Sequence, residues 1–150
     1  MKLKFESGKT YSHSTGHSCA FRQWRADSHC NLIHGYALQF ELTFGSEKLD
    51  ERNWVVDFGG LKPLKAWLED NFDHKVILDE DDPMMEHFEK IASVGLCELT
   101  IFNGVGVEKF AEHAFNFADN LIRDMPNDRC CVVEVECMEH GANSAIFRKE

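Results

Sequence analysis

HCNLIHGYALQFELTF, residues 29–44, is the stretch on which the reading of the whole chain turns. From His34 onward Tyr36, Leu38, Phe40, Leu42 and Phe44 are apolar, while Gln39, Glu41 and Thr43 between them are polar. That period of two is the mark of a half-buried β-strand. Just upstream, Cys30 and His34 stand four residues apart in a polar, histidine-flanked turn.

Working outward, residues 10–22 read as a strand before the turn, and residues 54–57 as a strand after it, with a turn region over 45–53. Leu61, Leu64 and Leu68 recur at helical spacing behind Gly59-Gly60, which predicts a helix from Leu61 to about Phe72. Asp82-Pro83 suits a helix start, and Met85, Phe88 and Ile91 mark a short helix there. Residues 97–102 are strand-like. Phe110, Ala114, Phe117 and Leu121 form the stripe of a second long helix. Residues 131–138 alternate again, with Val133, Val135 and Cys137 on one face. The sum is an α+β fold of two similar β-β-α halves: antiparallel strands with two long helices on one face.

At 150 residues the chain suits one domain, 1–150, with enough length for a sizeable core. A net charge of -10 argues against a nucleic-acid backbone as partner, which demands concentrated Lys and Arg. No apolar run approaches the roughly 20 residues that span a bilayer. The opening MKLKFESGKT has no signal-peptide core, so a cytoplasmic protein is expected. The six cysteines form no C-x-x-C pair, and in a reducing compartment they are expected as thiols. Cys97, Cys130, Cys131 and Cys137 lie in apolar runs and read as small buried hydrophobes. The acidic run 79–82 reads as a solvated loop.

Several residues are able to carry chemistry. A cysteine near a histidine has a base to depress its pKa, and Asp73-His74 is an acid–histidine pair in which the acid orients the ring. Each pattern is common by chance. Glu139 continues the apolar parity of Val135 and Cys137. It is either a solvated residue past the strand end or a pocket carboxylate able to accept two hydrogen bonds from an amidine-like ring edge. Glu108 follows Gly104-Val-Gly-Val in a first helical turn, where the macrodipole alone accounts for an acid.

In order, these pieces resemble the 6-pyruvoyltetrahydropterin synthase family, which includes the 6-carboxytetrahydropterin synthases of the queuosine pathway. The resemblance rests on Cys30-Asn-Leu-Ile-His34-Gly35 entering a strand, Asp57-Phe58-Gly-Gly-Leu61-Lys62 opening a helix, Asp73-His74, Glu108, and Glu139 followed by Ala145-Ile-Phe147. It implies the tunnelling or T-fold, a four-stranded antiparallel sheet with two helices, closed into an oligomeric barrel as a trimer or hexamer. It also implies a lyase that eliminates triphosphate from 7,8-dihydroneopterin triphosphate. Cys30 then matches the catalytic cysteine, Asp73 and His74 the pair that assists it, Glu139 the acid that anchors the pterin, and Glu108 a nearby contact.

The family holds a zinc ion with three histidines, and here only His34 keeps its place. Phe21 and Tyr36 stand at the other two positions. Zinc would then need His13, His17 or Cys19, which share the parity of Phe21, to be brought over by a register shift; otherwise the cleft is metal-free. Two other readings follow: a protein that binds a pterin or purine-like ring without lyase activity, and an enzyme with a different pterin side-chain reaction such as retro-aldol cleavage.

Overall fold

The computed structural model describes residues 2–125 and 129–150. Its spine is the alternating stretch itself, strand β3 (His34–Ser46). Leu38, Phe40, Leu42 and Phe44 are fully buried, and the polar residues between them are half-exposed. One edge of β3 pairs antiparallel with β6 (Cys130–His140). The other edge is shared: β1 (Phe5–Tyr11) covers Phe40 to Ser46, and β2 (His17–Phe21) covers His34 to Leu38.

The strand expected over residues 10–22 is therefore two strands. Tyr11 and His17 are six positions apart, whereas their partners Phe40 and Leu38 are two apart, so the edge carries four extra residues. These form a 3-10 turn, His13–Thr15, ended by Gly16 in the left-handed region at φ 86°. An even insertion leaves side-chain parity intact, and Tyr11, His17, Cys19 and Phe21 all face the core.

Four strands and an all-antiparallel sheet are not what forms. The described residues make seven strands, in the order β5-β4-β2-β3-β6-β7 with β1 beside β3. β4 (Lys75–Asp79) lies parallel to β2, and β5 (Glu98–Phe102) parallel to β4. β7 (Asn143–Arg148) returns antiparallel to β6. The two-halves reading fails for the same reason, since β4 and β5 have no counterpart in the first half. Residues 54–57 are not a strand either. Val55 and Val56 are both buried, which a one-sided strand forbids, and Asp57 accepts the Gly59 N–H (2.9 Å) to start a 3-10 turn, Phe58–Leu61.

That turn runs into α1 (Lys62–Phe72), which buries Leu64, Leu68 and Phe72. α2 (Met85–Ser93) is the short helix and buries only Phe88. α3 (Val107–Asp124) packs on β6 and β7, α1 packs on β2 and β4, and the two touch, so both long helices share one face. The α3 stripe is centred on Phe110, Ala114, Phe115, Ala118 and Ile122; Phe117 and Leu121 sit at its margin. Phe117 stacks on Trp67 at 4.9 Å. In β6 a bulge opposite Thr43 and Phe44 makes Val133 the extra residue, so Val132 rather than Val133 joins Val135 and Cys137 inside. Cys137 and Cys19 are buried, whereas Cys97, Cys130 and Cys131 are half-buried; all six cysteines are free thiols. No described helix is long and apolar enough to cross a membrane.

Candidate active site

Cys30 sits on a 3-10 turn, His29–Asn31, in the connection from β2 to β3. The Ser28 hydroxyl accepts the Cys30 N–H at 3.3 Å, and Gln23 donates its backbone N–H to the Cys30 carbonyl at 2.9 Å. Arg22 fastens the turn from below. Its Nη1 donates to both the carbonyl and the side-chain oxygen of Asn31 (3.2 Å each), while Nε and Nη2 grip Asp82 in a two-pronged pair at 2.9 and 2.8 Å. Asn31 in turn donates to the Trp24 carbonyl at 3.0 Å.

Asp82 is thus no member of a solvated loop, being 4% exposed. The Arg22 hydrogen bonds, with help from the Met84 N–H, hold its carboxyl below the usual range. Asp81 does face solvent, and exposed Arg25 pairs both with it and with the largely covered Asp79.

An open cleft of about 810 Å³ lies above this turn, and Cys30, His34, Tyr36, Glu108 and Glu139 all line it. Glu139 reaches it through a second irregularity in β6. The β6–β7 ladder pairs Met138 with Ser144 and His140 with Asn143, which leaves Glu139 as the unpaired residue of a bulge. Glu108 arrives in the first turn of α3, behind Gly106 at φ 109°. A side chain at Gly106 would run into the Gln23 amide, which donates to the Val105 carbonyl at 2.8 Å. Desolvation, then the nearby Glu139 and Cys30, push the Tyr36 phenol above its ordinary pKa. It is a neutral donor at physiological pH.

Beside these groups the rings of Phe21, His34 and Tyr36 close on one another. Phe21 lies 5.2 Å from His34 and 6.0 Å from Tyr36, and His34 stands edge-on to Tyr36 at 5.5 Å. Gly35 between them is forced by space, since a Cβ there would lie 2.5 Å from the Cys19 carbonyl oxygen. The register pairs Phe21 with His34, Cys19 with Tyr36 and His17 with Leu38, so no shift brings His17 or Cys19 to His34. His13 instead bonds the Ala37 carbonyl. The residues present do not fit a three-histidine zinc centre: they offer one imidazole, one neutral phenol and a phenyl ring. Among the described residues no three His, Cys, Asp or Glu side chains are grouped to hold a metal ion.

Asp73 and His74 form their pair, Nδ1 to Oδ1 at 2.8 Å, with His74 in the left-handed region at φ 57°. The pair does not line the cleft of its own chain. His74 donates its N–H to Ser18 (2.7 Å), at the far end of β2 from Phe21, roughly 10 Å along the strand. Its side chain is 85% exposed. Cys30, His34, Glu108 and Glu139 are thus brought together, and Asp73 and His74 are set apart. Sequence reasoning missed the Arg22–Asp82 pair, whose 60-residue separation leaves no local signal, and Ser144 in the cleft wall, which only the β6–β7 hairpin delivers.

Comparison with known proteins adds independent findings. A family model described as 6-pyruvoyl tetrahydropterin synthase matches residues 10–150. A 6-carboxy-5,6,7,8-tetrahydropterin synthase of Rickettsia conorii is 40% identical over 57 residues, 37% of this chain and 41% of that protein. One of Aquifex aeolicus is 29% identical over 101 residues, 60% of this chain and 62% of that protein. The chain therefore spans about two fifths to three fifths of the length of these curated relatives. Among solved structures, an uncharacterized protein of Wolinella succinogenes superposes with a TM-score of 0.82 at 18% identity, covering 97% of this chain and 98% of that one. The Plasmodium falciparum 6-pyruvoyl tetrahydropterin synthase gives 0.64 at 15%, covering 96% and 98%. At such identities these structures speak for the shared fold.

Proposed function

Because the chain belongs to the 6-pyruvoyl tetrahydropterin synthase family, we propose that it is a pterin-processing lyase of the 6-carboxytetrahydropterin synthase type, acting on 7,8-dihydroneopterin triphosphate. The observation that carries this reading is the convergence of Cys30 and Glu139 on one cleft from distant parts of the chain. The Glu139 carboxylate accepts two hydrogen bonds from the amidine edge of the pterin, and Glu108 offers a second acidic contact. With the ring so held, the side chain points back toward Cys30, whose thiolate takes a side-chain proton as triphosphate leaves. No step is assigned to a metal, because the residues at that place do not fit one.

Asp73 and His74 enter through oligomerisation. An exposed acid–histidine pair remote from its own Cys30 has work only in another copy's cleft, which favours a homo-oligomer, trimer or hexamer. Six free thiols suit the reducing cytoplasm. The second reading, a ring-binding protein without lyase activity, is favoured by the altered donor set alone.

Incubating the pure protein with 7,8-dihydroneopterin triphosphate and following release of inorganic triphosphate separates the two. Stoichiometric pterin binding with no triphosphate release would leave only the binder. Glu139→Ala is expected to weaken pterin binding by at least about a hundredfold, as two charge-assisted hydrogen bonds are lost. Unchanged binding in that variant would remove the shared ring-anchoring assignment.

A further inference from the structure

Where β2 meets β3, three aromatic rings fill the space between the cleft and the core. Phe21 carries no donor atom and is 2% exposed. Its ring also stands edge-on to Phe110 at 5.1 Å, so it is anchored in the core and has no room to swing aside for another ligand. His34 donates Nδ1–H to the Leu32 carbonyl at 2.7 Å, which leaves it a single free ring nitrogen. We propose that this chain's cleft is metal-independent, with Phe21, His34 and Tyr36 packed as an aromatic trio in the volume where three imidazoles would converge on zinc. The proposal rests on the family assignment for the position of that volume, and not on the identity of the substrate.

Two further donors beside the trio are already committed. His140 lies 5.9 Å from Tyr36, ring to ring, but its Nδ1 accepts the Ala142 N–H at 3.2 Å and its Nε2 faces the Asn143 amide at 3.4 Å. These contacts hold the ring in the β6–β7 turn. The Cys19 thiol is buried and turned to the Tyr36 carbonyl at 3.8 Å. A catalytic zinc needs three protein ligands, and a neutral phenol is a poor one, so within the trio His34 alone is left, and among the described residues no three His, Cys, Asp or Glu side chains are grouped to hold an ion. The trio in exchange offers a packed aromatic wall, and the Tyr36 hydroxyl on it is a hydrogen-bond donor beside Glu139.

The test is the metal content of the purified full chain, followed by titration with zinc sulfate. Wild type is expected to carry fewer than about 0.1 zinc per chain and to show no saturable site, while a folded F21H/Y36H double variant gains about one zinc per chain. Adding His34→Ala to that variant abolishes the gain. About one zinc per chain in wild type, lost in His34→Ala, would overturn the proposal. So would a double variant with native circular dichroism and no added zinc. Should the buried Phe21→His change prevent folding, Tyr36→His alone leaves Phe21 in the core and is expected to gain a weak but saturable zinc site that wild type lacks, lost again when His34→Ala is added. Absence of such a site would count against the geometry. None of these readouts involves a pterin, so failure of the lyase reading and failure of this proposal are seen separately.

Discussion

At the scale of single residues, the side chain that most repays attention lies outside the cleft. Asp82 is held by both prongs of Arg22, and Arg22 holds the carbonyl and the amide oxygen of Asn31, next in sequence to Cys30. Asp82→Asn leaves a largely buried guanidinium without its counter-charge and is expected to cost about 3 kcal/mol of stability. The sign of the pH effect follows from the lowered folded pKa. The contribution of Asp82 is complete above the unfolded carboxyl value, about 4, and is lost as pH falls through the lower folded value. Urea unfolding between pH 6 and pH 3 should therefore show a steeper acid loss in wild type than in Asp82→Asn. Parallel slopes would show that Asp82 is not the group responsible.

At the scale of elements, the pairing of β2 with β3 decides whether the site exists. Gly35 lets the strands approach, and Gly35→Ala drives a methyl into the Cys19 carbonyl, which backbone alone can relieve. The variant is expected to lose about 2 kcal/mol and to melt several degrees lower by differential scanning fluorimetry. An unchanged melting temperature would contradict the close approach. This element is also the most legible part of the chain, because β3 buries one face and leaves the other wet, so its alternation is written in full. β4 was illegible for the opposite reason. Val76, Ile77 and Leu78 run without a break in a strand flanked by parallel partners on both sides, and such a short run has no period to read. The Cys30, His34 and Glu139 grouping could be guessed in order along the chain. The bulge that turns Glu139 into the cleft, and the length of β2 that sets Asp73 and His74 away from it, exist only in three dimensions.

At the scale of the whole molecule, the acid–histidine pair stands apart from the cleft, so the proposed lyase activity would be a property of an assembly. Cys30→Ala and His74→Ala are each expected to be nearly inactive as pure proteins. When they are mixed and allowed to exchange subunits, some clefts combine an intact Cys30 with an intact His74, and triphosphate release should recover to roughly a quarter of wild type. Recovery would be absent if each chain worked alone. The interrupted edge, in which β1 and β2 share one side of β3, bears on how such a chain tolerates change in length. The turn between them adds four residues, and because side chains alternate with a period of two, the turn is neutral in phase. Two or four residues removed there would shorten the loop yet leave Cys19 and Phe21 facing inward. A single deletion taken up as a one-residue slip would invert β2, expose the Phe21 ring and turn Ser18 and Ala20 inward, so that one missing residue does more harm than four.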